Sequence, residues 1–317
     1  MTTAPLAPAS YELHCPDAEL AAELRRWLDD SGLTWPGHFR INARLVDAIP
    51  DNTDPRESYQ ETDVAIQAGP PDHTVRIRWT SAPAEAIVDG TAATMELHFT
   101  AEALAKIEGA ERGFLLVALL FILRRLGWYH VHGASLIDPT GRGWMFVGNS
   151  KTGKSTTSAL LASHGWTVST DDIAFLERQD GKVAVRGFRS PIALREGGRD
   201  LLAARGRLPD EGTELARRKK TAFTPESLGG RWTEVVVPST LLFPTIGEKT
   251  AIEEMRPGKV LAELVVWSRW VMYEALHSQQ HLDLLGALAA QSQVYRVTFG
   301  PDLMDNHLLL QELVPEA

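Results

Sequence analysis

Eight consecutive residues, Gly148-Asn149-Ser150-Lys151-Thr152-Gly153-Lys154-Ser155, constrain this 317-residue chain more than any other feature of it. They satisfy G-x-x-x-x-G-K-[ST], follow the apolar run Trp144-Met145-Phe146-Val147 and open a helix-compatible stretch, which is the strand-loop-helix context the pattern needs. At average residue usage the string arises by chance in about one chain of this length in a hundred, before those flanks are demanded. In such a loop successive backbone N–H groups and the positive end of the next helix face one point and form an anion nest. The glycines keep side chains out of the cradle. Lys154 is expected to reach the β- and γ-phosphates of ATP as a point charge, and the Ser155 hydroxyl to bind Mg2+ that bridges the same oxygens. Asn149, Ser150, Lys151 and Thr152 contribute mainly backbone, and Thr156 completes the nucleotide-binding set.

Two neighbouring stretches add chemistry to the loop. Trp166-Thr167-Val168-Ser169-Thr170 reads as a short strand delivering Asp171-Asp172 at its carboxyl end, where α/β sheets place ligands. Consecutive side chains diverge, so one carboxylate can hold Mg2+ while the other accepts the proton of an attacking hydroxyl; a turn or helix-capping pair is the bland alternative. Upstream, His132-Gly133-Ala134-Ser135-Leu136-Ile137 is a strand separated from the loop strand by the hairpin composition Asp138-Pro139-Thr140-Gly141-Arg142-Gly143. Pairing across that turn is expected to set Gly133 opposite Gly148 and to bring His132 to the loop entrance, where it can donate to a phosphate or tune an aspartate. His130, two residues earlier on the same face, competes for that place. Arg217-Arg218-Lys219-Lys220 is either a phosphate clamp or a solvated charged loop.

The rest of the chain divides by its periodicity. Residues 128–317 alternate strand and helix signals: strands near 130–137, 144–147 and 166–170, a helix over 154–164, a strand-like stretch 183–194, a charged connection 195–230, a strand at 241–243, helices from 260, a strand at 294–299 and a closing helix from 305. That pattern predicts an α/β core. In residues 1–127 the runs 39–45, 74–79 and 94–99 alternate apolar with polar and predict a smaller, mostly antiparallel α+β domain. A helix near 18–28 precedes them, Asp89-Gly90 supplies a turn between the last two, 50–61 reads as a polar loop, and one long helix is expected over 100–126. The net charge of −9 argues against nucleic-acid and anionic-membrane partners, and the single cysteine, Cys15, excludes an internal disulfide. The apolar run 114–123 is too short for a membrane span and the first ten residues lack the pattern of a secretory signal, so a cytoplasmic location is expected.

The order H-G-A-S-L-I, glycine turn, apolar strand, G-N-S-K-T-G-K-S-T, helix, H-G-W-x-V-x-x-D-D resembles the catalytic core of the HPr kinase/phosphorylase family of P-loop kinases and its HPr-kinase-like relatives. The resemblance implies an α/β, HPr-kinase/phosphoenolpyruvate-carboxykinase-like core that uses ATP and Mg2+. It implies that His132, Lys154, Asp171 and Asp172 are catalytic, with Asp172 as general base and Asp171 and Ser155 as the Mg2+ partners. It also implies transfer of the γ-phosphate to a serine hydroxyl of a peptide or small protein. Thr156 stands where the bifunctional enzymes carry a glutamate and no L-E-x-R-G-x-G signature follows, which argues against HPr itself as acceptor and leaves homo-oligomerisation open. Divergent relatives include kinases of ribosomally made peptides such as lasso-peptide precursors. A small-molecule kinase or a non-catalytic ATP sensor would share the same loop.

Overall fold

The computed structural model of the chain describes residues 11–50, 59–61, 64–68, 73–108, 113–209, 212–215, 219–268 and 273–315. The protein is mixed α/β and divides into two units, Met1–Tyr129 with Trp270–His281, and His130–Arg269 with Leu282–Ala317.

In the first unit, strands β1 (Tyr11–His14), β2 (Phe39–Leu45), β3 (Tyr59–Glu61), β4 (Val64–Ala68), β5 (Val75–Trp79), β6 (Ala84–Val88) and β7 (Thr94–Phe99) make one sheet in the order β1-β2-β7-β6-β5-β4-β3. Strand β2 runs parallel to β1 and β7, and the other neighbours are antiparallel. The period-two pattern sets the buried face: Phe39, Ile41 and Ala43 of β2, Val75, Ile77 and Trp79 of β5, and Met95, Leu97 and Phe99 of β7 all point inward. Helices α1 (Ala18–Asp30), α2 (Ala101–Glu108) and α3 (Gly113–Arg125) pack on this sheet. Asp17 starts α1 by accepting the Leu20 amide at 2.8 Å, and Leu20, Leu24, Trp27 and Leu28 recur at helical spacing to form its buried stripe.

The helix expected over 100–126 is described as α2 and α3, with 109–112 outside the described residues. Two expectations change here. The Asp89-Gly90 turn joins β6 to β7, not β5 to β7, and Asp89 Oδ1 holds it by accepting the amides of Thr91 and Ala92 at 2.8 and 2.7 Å. Strand β6 hid from the alternation because Ile87 shares a face with Glu85, which leaves Glu85 as the strand's one polar residue; it is buried between Arg76 and His98. Of the polar stretch 50–61, residues 51–58 lie outside the described residues and 59–61 form β3.

The second unit is built on β8 (Tyr129–Ile137), β9 (Gly143–Val147), α4 (Lys154–Ala162), β10 (Thr167–Thr170), β11 (Ile173–Gln179), β12 (Lys182–Gly187), β13 (Ile192–Arg195), α5 (Glu196–Ala203), β14 (Thr213–Leu215) and β15 (Lys220–Phe223). It continues with β16 (Arg231–Trp232), β17 (Val235–Val236), β18 (Pro238–Ile246), β19 (Ala251–Glu254), α6 (Pro257–Trp267), α7 (Ala275–Gln291), β20 (Gln293–Phe299), α8 (Asp302–Asp305) and α9 (Leu309–Leu313). The stretch 195–230 is therefore not a bare connection: it carries α5, β14 and β15, and β15 lies between β13 and β14 in a small separate sheet. The large sheet runs β17-β12-β11-β8-β9-β18-β20-β19, with β10 attached to β8 and β16 to β10. Strands β9, β18 and β20 are mutually parallel neighbours, and α4 covers them through Ala159, Leu160, Leu161 and Ala162 against Trp144, Phe146 and Leu242. Burying each such leucine contributes about 2 kcal/mol. The loop between β9 and α4 is thus held from below by a packed core.

Candidate active site

The hairpin that positions the site is set by one carboxylate. Asp138 is buried, and its Oδ1 accepts from the amides of Thr140 and Arg142 and from the Thr140 hydroxyl at 2.9, 3.0 and 2.6 Å, while Oδ2 accepts from Trp144 Nε1 at 3.0 Å. These bonds fix a turn over 138–142 and pair Ile137 with Gly143, so Gly133 faces Val147, one residue short of the expected Gly148. The strands approach closely at that point: a Cβ on Gly133 would meet the Phe146 carbonyl oxygen at 2.6 Å.

The Asp pair sits where the chain changes partner along β8. Strand β10 pairs antiparallel with the far half of β8, Thr170 against Ser135, and the chain then crosses into β11. At the crossing the Asp172 carbonyl accepts the Gly133 amide at 3.0 Å, and the Thr170 hydroxyl accepts the amides of Asp172 and Ile173 at 3.3 and 3.2 Å. That anchoring places Asp172 beside His132, and His132 Nδ1 lies 2.8 Å from Asp172 Oδ1. His130 does not compete for this place; its ring lies edge-on to Phe175, 6.4 Å between centroids.

In the loop between β9 and α4, Lys151 has φ 70° and Gly153 φ 93°, so left-handed backbone turns the chain into α4. Asn149 folds back on the loop, its Oδ1 accepting the Ser150 amide at 2.7 Å and its carbonyl accepting the Thr152 hydroxyl at 2.9 Å. Lys154 is buried, and its ammonium donates to the carbonyls of Gly148 and Asn149 at 2.6 and 2.8 Å. Its third contact is His132 Nε2 at 3.2 Å. An ammonium only donates, so Nε2 accepts and the proton sits on Nδ1, which donates to Asp172. Lys154, His132 and Asp172 form one continuous chain of contacts at the loop.

The two aspartates occupy opposite environments. Asp171 is buried, and burial pushes its carboxyl up to about 6, against the hydroxyls of Ser155 and Ser158 and with the repulsion of Asp172. Those hydroxyls are close enough to act electrostatically, yet Asp171 Oδ1 and Ser158 Oγ are both buried without a well-formed hydrogen bond. Asp172 is enclosed enough that burial opposes its charge, but the His132 hydrogen bond, with the charges of Lys154 and Lys220 behind it, holds it down at about 2. Its side chain is 54% exposed, so water screens part of those charges. Burial lowers the Lys154 pKa and the charges of Asp171 and Asp172 restore it in part.

The structure therefore gathers His132, Lys154, Asp171, Asp172 and the loop from Gly148 to Ser155, while Thr156, one residue on, faces the close approach of α5 at Gly198. Of the basic run, Arg217 and Arg218 lie outside the described residues; Lys220 opens β15 opposite Arg195, and its charge reaches both Lys154 and Asp172. Two participants escaped the sequence reading although their signals were present. Ser158 lies three residues after Ser155, hence on the same helix face, and a threonine immediately before an Asp pair is a frequent turn-forming hydroxyl.

No protein-family model matches the chain, and no curated protein matches it. Among solved structures it is similar to the HPr(Ser) kinase/phosphatase from Coxiella burnetii, at 12% identity, over 58% of this chain and 98% of that one, with a TM-score of 0.27. A likeness at that score assigns neither fold nor activity. Among the described residues no helix is long and apolar enough to cross a membrane.

Proposed function

We propose that this chain is a Mg2+-ATP-dependent phosphotransferase that passes the γ-phosphate to a serine hydroxyl of a peptide or small protein. The observation that carries the reading is the contact chain Lys154–His132–Asp172 at the rim of the phosphate loop, with Asp171 buried beside Ser155. The residues fit a hard divalent cation: Asp171 Oδ1 is a buried acceptor without a hydrogen-bond partner, its ionised form is penalised by burial, and Ser155 supplies an adjacent hydroxyl. One carboxylate and one hydroxyl are the hard oxygen donors that Mg2+ prefers. Ser155 and Asp171 would hold it, and it would neutralise charge on the phosphates.

The protein's own groups divide the work. Lys154 exchanges its loop carbonyls for phosphate oxygens and keeps its third N–H on His132 Nε2, while His132 Nδ1 keeps Asp172 oriented. Asp172 accepts a hydrogen bond from the acceptor hydroxyl and takes its proton as that oxygen bonds to the γ-phosphorus and the bridging oxygen departs with ADP. A carboxylate held at about 2 is a weak base, which suits a loose transition state in which the proton leaves late and positioning dominates.

The test is transfer of label from γ-labelled ATP, with Mg2+ and a panel of serine-containing peptides, followed by mass spectrometry for the unmodified protein and Asp172→Asn. Phosphoserine formed by the unmodified protein alone supports the reading. Nucleotide binding with no transfer to any peptide overturns the peptide acceptor and leaves a small-molecule kinase or an ATP sensor.

A further inference from the structure

Ile246 is a large apolar side chain left 67% exposed at the carboxyl end of β18, against the phosphate loop. A Cβ placed on Gly153 would lie 3.8 Å from Ile246 Cγ1 and 3.0 Å from the edge of Phe299, and Pro244 of the same strand lies 3.5 Å from the corresponding position on Gly148. Pro244, Ile246 and Phe299 thus flank both glycines of the loop from one side. That side is defined by the sheet order, in which β9 lies between β8 and β18. His132 and Asp172 stand on the β8 side and Ile246 on the β18 side.

Resting on the phosphotransferase reading, this asymmetry orients the nucleotide. The reacting γ-phosphate must lie towards Lys154, His132 and Asp172, so the nucleoside end leaves the loop in the opposite direction, over β18 and β20. We propose that Ile246, backed by Phe299, is the platform on which the purine base of the bound nucleotide rests. Phe299 is itself fixed, 5% exposed and edge-on to Phe146 with 6.0 Å between centroids, so the shelf is preformed. Desolvating an isoleucine against a flat apolar ring face is favourable and needs no hydrogen bond. An apolar platform of this kind recognises a purine as a class and discriminates adenine from guanine poorly.

Binding of ADP, GDP and inorganic pyrophosphate to the full chain and to Ile246→Ala separates the possibilities by calorimetry. The expected result is that Ile246→Ala weakens ADP and GDP alike, by about five- to tenfold for the apolar area lost, and leaves pyrophosphate affinity unchanged. An exposed side chain is replaced, so the fold survives, and a thermal melt within about 2 °C of the unmodified protein verifies it. ADP affinity unaltered by Ile246→Ala, or pyrophosphate and ADP weakened equally, overturns the platform while leaving the phosphate site standing. Failure of the unmodified chain to bind pyrophosphate or ADP overturns the nucleotide reading itself.

Discussion

The two units each gather a cluster of charge, and they treat it in opposite ways. In the first, Glu274 is buried between Arg124 and Arg125, with Arg124 Nε 3.2 Å and Arg125 Nη1 2.8 Å from its Oε2, and it is joined to them across 150 and 149 residues of chain. Burial pulls Arg124 down to about 10, and Glu274 is the largest influence restoring it. In the second, the charges of Asp171 and Asp172 act on Lys154, but burial still pushes the Asp171 carboxyl up to about 6. Opposite charges that close on each other are structure. Charges kept from closing are poised for a ligand that supplies the missing counter-charge.

That contrast breaks most sharply in turnover. Asp172→Asn should lower phosphoryl transfer by about a thousandfold while nucleotide affinity changes little, measured by single-turnover kinetics beside equilibrium binding; equal losses in both would make Asp172 a binding group. Glu274→Gln leaves two buried guanidinium groups without their anion and should cost about 3–5 kcal/mol of stability in denaturant unfolding. Turnover of the folded fraction should be intact, and an effect on transfer alone would erase the distinction between the clusters.

Asp171→Asn should do the reverse of Glu274→Gln. The Asp171 carboxyl is raised from 3.8 to about 6 in the folded chain, so the unfolded chain releases this proton first and stability falls as pH rises between those values. Removing the charge should therefore stabilise the ligand-free protein at pH 8, by on the order of a few kcal/mol, with the advantage vanishing below pH 4. Mg2+-dependent activity should disappear. No rise in melting temperature at pH 8 would mean that Asp171 is compensated as Glu274 is. The smallest effect is expected from Gly133→Ala, which drives a methyl towards the Phe146 carbonyl and should cost about 1–3 kcal/mol; His132 would shift with its strand and turnover would drop with it.

Legibility followed locality. Strands β2 and β7 were readable because alternation within each run reports its buried face, yet their parallel pairing, with β7 inserted between β2 and β6, leaves no trace in either run. Strand β11 escaped because Ile173, Ala174, Phe175 and Leu176 form a continuous apolar run that ends in Glu177, Arg178 and Gln179. It is flanked by β12 and β8 and has no exposed face to create a period over its first half. Register across the hairpin was off by one because the length of the 138–142 turn is set by the side chain of Asp138, which composition alone does not reveal.

The glycine-rich loop 148–155, its flanking strand and helix, and the candidates His132, Lys154, Asp171 and Asp172 could be named from sequence. Anion-binding backbone and its lysine must be contiguous in the chain, so their pattern is local. Tertiary structure decided what distinguishes adjacent carboxylates. Asp171 and Asp172 are chemically identical and neighbours in sequence, but one turns under α4 beside Ser155 and Ser158 and the other out to His132 on β8. Their separation in pKa, like the exposed place of Ile246 beside the loop, arises from groups that only the folded sheet brings within a few ångströms, because desolvation and Coulomb interactions depend on distance in space and not along the chain.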